Sequence, residues 1–231
     1  MQIIEYNNNL NLENKVIIGI DEVGVGDYFG PLVGAVVSIP VANREKLIKL
    51  GIKDSKKIRN SKIKFFASQI KQLTQWSIYV LSPKGYNNLS SYNNANELKM
   101  FVHLNALNSL LKQNINYDAV FIDKYSTTRS IEKYFTKFYA DNFFISFNKI
   151  AKPVILASKA ENISLEVACA SILAREKFIH KMEQMNLLYK IKFPFGASNK
   201  VKLFAKQLWN TRPDINKIEV CKNSFKMDIK N

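Results

Sequence analysis

The residues best suited to chemistry stand between two apolar runs. Val16 to Ile20 is followed at once by two carboxylates, Asp21 and Glu22, then by a glycine-punctuated turn with Gly24, Gly26 and Gly30 ahead of Pro31. A second apolar run, Leu32 to Ile39, completes the stretch. Two β-branched runs joined by a Gly-rich turn predict adjacent antiparallel strands. Acids at the end of a buried strand are unfavourable unless compensated, and hard divalent cations are the partners that carboxylate oxygens suit. A pair facing water at the head of a turn is the equally open alternative. Ala119 to Asp123 repeats the pattern, a short apolar strand ending on a carboxylate. In open α/β sheets ligand groups gather at strand ends, so Asp123 can meet Asp21, although an Asp at a strand end also simply starts turns. Glu161 lies at the mouth of a long helical stretch, where the helix dipole favours an anion. It reads as a helix-start acid or, if it faces the others, as a fourth ligand.

The elements that must carry these residues follow from periodicity. Residues 1–14 are Asn-rich and read as a flexible lead-in. Arg44 to Leu50 predicts a short helix stopped by Gly51, and Ile63, Phe66, Ile70 and Leu73 recur at helical spacing. Trp76 to Leu81 predicts a strand, and the following SPKGYNNLSSYNN a loop. Asn94 and Glu97 form a capping box opening a helix through Leu111, on which His103 is read as structural. A helix is expected over Thr127 to Tyr139, strands over Phe143 to Phe147 and Val154 to Ala157, then a long helix over residues 158–185 and another from Val201 to Trp209. Strands alternating with helices predict an α/β layer architecture. With no repeat, linker or composition break, residues 15–231 are expected to form one domain with a basic C-terminal segment.

Lys and Arg number 34 against 19 Asp and Glu, a net charge of +15, which points to a polyanionic partner, nucleic acid before anionic membrane. A chain rich in Asn, Ile and Lys also arises from compositional bias alone. The two cysteines, Cys169 and Cys221, have no paired spacing, so neither a zinc site nor a disulfide framework is indicated, as fits a reducing compartment. No signal peptide or membrane-length apolar run is visible, and the expected address is cytoplasmic.

The segment from Asp21 to Pro31 (DEVGVGDYFGP) resembles the opening motif of bacterial ribonuclease HIII, within the type 2 ribonuclease H family. Its Asp-Tyr-Phe-Gly-Pro continuation is closer to the HIII branch than to HII. Further similar stretches follow in order: GIKDSKK at Gly51 to Lys57, the histidine-bearing segment Tyr86 to Leu107, Phe121-Ile122-Asp123, Lys159-Ala160-Glu161 with the Ala168 to Arg175 helix, and Gly196-Ala197-Ser198. The resemblance implies a ribonuclease H-like fold, a mixed central β-sheet flanked by helices, with a C-terminal helical segment. It implies endonucleolytic cleavage of the RNA strand of RNA–DNA hybrids, assisted by Mg²⁺ or Mn²⁺ and leaving 5′-phosphate and 3′-hydroxyl ends. Asp21, Glu22, Asp123 and Glu161 would be both the catalytic acids and the metal ligands. Gly24, Val25 and Gly26 would approach the ribose 2′-hydroxyls, and Lys53, Ser55, Lys56 and Lys159 the phosphates. The expected protein is a monomer with no obligate protein partner and no membrane association.

The alternatives are HII-like incision at single ribonucleotides in duplex DNA, or a catalytically silent nucleic-acid-binding module on the same scaffold. The sequence departs from the HIII pattern in three places. About fourteen residues precede the first strand pair, where HIII members usually carry a substrate-binding domain resembling TATA-binding protein; weaker hybrid binding is expected, partly offset by the +15 charge. Val25 replaces a usual Thr, and Phe195 a common basic residue.

Overall fold

The structure is a computed structural model that describes residues 1–52 and 58–225. Its centre is a six-stranded mixed sheet in the order β1-β6-β5-β2-β3-β4. The strands are β1 (Ile3–Glu5), β2 (Ile17–Val23), β3 (Leu32–Ser38), β4 (Gln75–Leu81), β5 (Ala119–Asp123) and β6 (Val154–Ala157). β1, β6, β5 and β2 run parallel, whereas β2, β3 and β4 form an antiparallel meander. The parallel strands therefore end on one edge of the sheet, and β2 and β5 deliver their carboxylates to that edge.

Among the described residues the helices are α1 (Val41–Lys49), α2 (Asn60–Leu73), α3 (Pro83–Leu89), α4 (Ala95–Leu111), α5 (Thr128–Phe138), α6 (Leu165–Tyr189), α7 (Asn199–Thr211) and α8 (Lys217–Val220). One face of the sheet, with Ile18, Ile20, Val120 and Ile122, packs on α4 and α5 through Leu98, Phe101, Val102, Leu107 and Phe135. On the other, Val33, Ala35 and Val37 meet α6 through Cys169, Ile172 and Leu173, with α1, α2 and α7 outside it. Both central helices are sandwiched, which is why their sequences are apolar well beyond a single stripe.

The capping box at Asn94 forms as expected: Asn94 Oδ1 accepts from the Glu97 amide at 3.0 Å, and Glu97 Oε2 accepts from the Asn94 amide at 2.8 Å. Four expectations differ from the structure. Residues 3–5 of the lead-in form edge strand β1, because Ile3 and Ile4 pair with Val154 and Ile155 of β6. The stretch after β4 contains α3 rather than only a loop: Pro83 suits the first helical position and Ser82 Oγ accepts from the Gly85 amide at 3.1 Å. Phe143 to Phe147 is irregular; its rings pack around Phe101 and Phe138 instead of extending into a strand. The long helix is broken, with a 3₁₀ turn at Ala160–Asn162 and a fresh start at Ser164, whose Oγ accepts from the Val167 amide at 3.3 Å.

No described helix is long and apolar enough to cross a membrane. The segment between Ile52 and Ile58, which carries Lys53, Ser55 and Lys56, lies outside the described residues.

Candidate active site

β2 and α6 run alongside one another in the same direction. A Cβ on Gly19 would collide with the backbone of Glu166 and Val167, and one on Gly24 would stand 3.1 Å from the Phe178 ring. Between these points Asp21 faces α6 and hydrogen-bonds to Ser171. Two strand residues rise about 6.7 Å and four helical residues about 6.0 Å, so the step from Gly19 to Asp21 nearly matches that from Val167 to Ser171.

Strand alternation decides which acids share a face. Asp21 follows Ile17 and Gly19 towards α6, and Asp123 follows Ala119 and Phe121 the same way. Ile20 pairs with Ile122, so the two carboxylates lie side by side on neighbouring parallel strands. Burial pushes the Asp21 carboxyl well above the usual range, and the negative charges of Glu22 and, to a smaller extent, Asp123 raise it further. Hydrogen bonds from Ser171 and from the Glu22 amide, 2.8 Å from Asp21 Oδ1, offset only part of this.

Glu22 points to the opposite face. Its Oε2 lies 2.8 Å from His103 Nε2 and its Oε1 3.0 Å from Lys99 Nζ, both from α4. Burial alone would raise this carboxyl, but the hydrogen bond and charge of His103 and the Lys99 ammonium hold it well below the usual range. The ammonium also sits 4.8 Å above the Tyr125 ring. Asp123 Oδ1 accepts from the Ala160 amide at 3.0 Å, tying the end of β5 to the 3₁₀ turn that carries Glu161. Glu161 is buried in that turn. The turn depends on Lys159, which adopts a left-handed conformation (φ 56°, ψ 47°) immediately before it. Among the described residues, no three His, Cys, Asp or Glu side chains converge closely enough to hold a metal ion by themselves. Asp21 and Asp123 are thus brought together, Glu161 lies just beyond them, and Glu22 is turned towards α4.

The glycine segment forms a turn at the same edge, closed by the Asp27 amide donating to the Gly24 carbonyl at 3.3 Å. Gly24 has φ +106° and its missing Cβ would collide with the Pro31 carbonyl, whereas a Cβ on Gly26 would meet nothing within 4 Å. Lys99 and Ser171 went unremarked as site residues in the sequence, since a Lys on an exposed-looking helix face and a Ser in an Ala-rich helix carry no signal of their own.

These features coincide with a known family: the model for ribonuclease HII matches residues 18–227. The chain belongs to the ribonuclease HII family. Among curated relatives it is similar to ribonuclease HIII of Ureaplasma parvum serovar 3, 36% identical over 188 residues, covering 80% of this chain and 57% of that protein. It is also similar to ribonuclease HIII of Streptococcus pneumoniae, 30% identical over 197 residues, covering 85% of this chain and 64% of the relative. The chain therefore spans less than two thirds of the length of these relatives. The crystal structure of Bst RNase HIII in complex with Mn²⁺ superimposes with a TM-score of 0.84 at 30% identity, covering 94% of this chain and 69% of that one. The ribonuclease H-like architecture expected from the sequence is the one observed, and the two curated relatives named above are both ribonucleases HIII.

Proposed function

We propose that this chain is a metal-dependent endoribonuclease that hydrolyses the RNA strand of RNA–DNA hybrids. The observation that carries the reading is the pair Asp21 and Asp123, adjacent on parallel strands at the edge where the glycine turn stands. Membership of the family and similarity to an RNase HIII that binds Mn²⁺ support it.

The residues present suit Mg²⁺ or Mn²⁺. The donors are hard carboxylate oxygens, and Asp21 is raised by burial and neighbouring negative charge that no cation among the described residues relieves; Lys99 and His103 serve Glu22 on the other face. Mg²⁺ is commonly held by only one or two carboxylates together with substrate phosphates, so a site completed by the scissile phosphate does not require three converging side chains beforehand. When bound, such ions supply Lewis acidity that activates a water for in-line attack and stabilises the leaving 3′-oxygen.

The chain's own residues do the rest. Asp21 and Asp123 would hold the ions, with Glu161 bordering them and Ser171 orienting Asp21. Glu22, fixed by Lys99 and His103, adds negative charge at the same strand end. The turn amides of Val25 and Gly26 read the ribose 2′-hydroxyl, the group that separates RNA from DNA at one position. Lys159 contacts and neutralises a phosphate, and Lys53, Ser55 and Lys56 are proposed as further phosphate contacts, the serine through its hydroxyl. The products carry 5′-phosphate and 3′-hydroxyl ends. The chain, edge strand β1 included, acts as one catalytic domain, working as a monomer in the cytoplasm.

The test is a strand-resolved digestion of an RNA–DNA hybrid, single-stranded RNA and a DNA duplex with one embedded ribonucleotide, each with Mg²⁺, Mn²⁺ or EDTA. Internal cuts in the hybrid's RNA strand, with either metal and not with EDTA, are expected. Cutting confined to the embedded ribonucleotide would replace this reading with HII-like incision. Hybrid binding unchanged by metal, without products, would indicate a silent binding module.

A further inference from the structure

Residues 217–223 run along the outside of the loop that joins β2 to β3. Phe29 and Cys221 form an antiparallel bridge, the Gly30 amide donates to the Val220 carbonyl at 2.9 Å, and the Lys222 amide to the Tyr28 carbonyl at 2.9 Å. Asn87 of α3 anchors the segment from behind: its Nδ2 donates to the carbonyls of Cys221 at 2.8 Å and Ile218 at 3.2 Å, and its Oδ1 accepts from the Asn223 amide at 2.8 Å.

The Lys222 side chain goes inward. It is 0% exposed, and its ammonium donates to the carbonyls of Asp27 at 2.8 Å and Gly30 at 2.7 Å, beside the Tyr86 ring. No carboxylate among the described residues forms an ion pair with it. An ammonium buried in this way destabilises a fold relative to an apolar side chain of similar volume. Burial accordingly holds its pKa down to about 7, against the opposing pull of the Asp27 charge. Filling space does not call for this charge. What an apolar side chain would lack is the ability to draw two carbonyls of one loop to a single point and so fix two peptide planes.

Those planes bracket the second half of the glycine loop. From the other side Asp27 Oδ1 accepts from the Gly196 amide at 2.6 Å, and the Tyr28 amide donates to the Gly196 carbonyl at 3.0 Å. Asp27 also closes the turn onto Gly24. The N–H groups of the turn's central residues, Val25 and Gly26, find no acceptor among the described residues.

We propose that Lys222 is a positioning residue, locking the Gly24–Asp27 turn so that the Val25 and Gly26 amides are held out towards the RNA strand's ribose–phosphate. This rests on the hybrid-cleaving reading above. It assigns to a remote segment part of the discrimination between RNA and DNA.

The experiment compares the wild-type full chain with Lys222→Met for kcat and KM on the hybrid with Mn²⁺, affinity for the hybrid and for an all-DNA duplex of the same sequence, and thermal stability. The melting temperature is expected to hold or fall by a few degrees, because relief of the buried charge is offset by two carbonyls left without their donor. The preference for hybrid over DNA is expected to fall about fivefold, the scale of one lost hydrogen bond. A folded Lys222→Met with unchanged preference overturns the proposal, as does an equal loss on both duplexes. If Lys222→Met does not fold, Asn87→Ala, which loosens the same segment, is read by the same criteria. Wild-type protein that cuts the hybrid while the variants keep full preference sinks this proposal alone; wild-type protein that cuts nothing sinks the function reading with it.

Discussion

Gly19 of β2 lies backbone to backbone against Val167 of α6, so closely that no Cβ fits between them. That contact sets the height of the helix on the strand and brings Ser171 to Asp21. Its consequences separate the glycines of this region into three kinds. Gly19→Ala must push α6 off the sheet and is expected to destabilise the fold by about 3 kcal/mol or more. Gly24→Ala combines a collision with an unfavourable positive φ and is expected to lose about 2 kcal/mol. Gly26→Ala meets open space, so its stability should change by less than about 0.5 kcal/mol. If the turn meets the substrate as proposed, the added methyl stands in the way and hybrid cleavage should fall. Urea melts and hybrid turnover on the three variants check the series; normal cleavage by Gly26→Ala would remove the turn from the substrate interface.

Asp123 is expected to be indispensable because it shares a face with Asp21. Asp123→Asn should lower hybrid cleavage by about 10³-fold or more while far-UV circular dichroism stays unchanged. Full activity would refute its assignment as a metal ligand.

The crowding around Asp21 predicts an unusual pH dependence. Its folded pKa is raised, so between the ordinary carboxylate range and that raised value the folded protein binds more protons than the unfolded chain. Stability from this group therefore falls as pH rises through that window, and levels off above it. Glu22 behaves oppositely: its lowered pKa contributes stability present above the ordinary carboxylate range and lost in acid. In EDTA, denaturant melts from about pH 5 to 8 should show a decline for wild type that Asp21→Asn lacks. Mn²⁺ should flatten the wild-type curve by stabilising the ionised form. A decline identical in Asp21→Asn would assign it elsewhere.

Lys159 combines a left-handed backbone with an exposed ammonium, and substitution separates the two. Lys159→Gly relieves backbone strain of about 1 kcal/mol, so its melting temperature should hold or rise. Hybrid affinity should nevertheless drop, with the slope of log affinity against log salt reduced by about one. An unchanged slope would show that Lys159 meets no phosphate.

Much of the scaffold is local and was therefore legible in the sequence. The strand runs that carry Asp21 and Asp123, the Asn94–Glu97 box and the helix expected over Val201 to Trp209, found over Asn199–Thr211, are each set by periodicity and caps within a few residues. The failures were of another kind. Phe143 to Phe147 has strand-forming residue types, but its rings gain more from Phe101 and Phe138 than its backbone would from the sheet.

By itself, the sequence determined which carboxylates stand at strand ends and where the chain must turn, because alternation, capping and glycine placement act between near neighbours. Only the tertiary structure decided which groups face one another. Asp21 and Glu22 are adjacent in the chain, yet the pleat sends one to Ser171 and the other to Lys99 and His103. Lys222 reads as one more basic residue until the fold closes over it and leaves two loop carbonyls as its hydrogen-bond acceptors. A side chain's partners and its share of solvent belong to the packed chain, and they set its charge and its role.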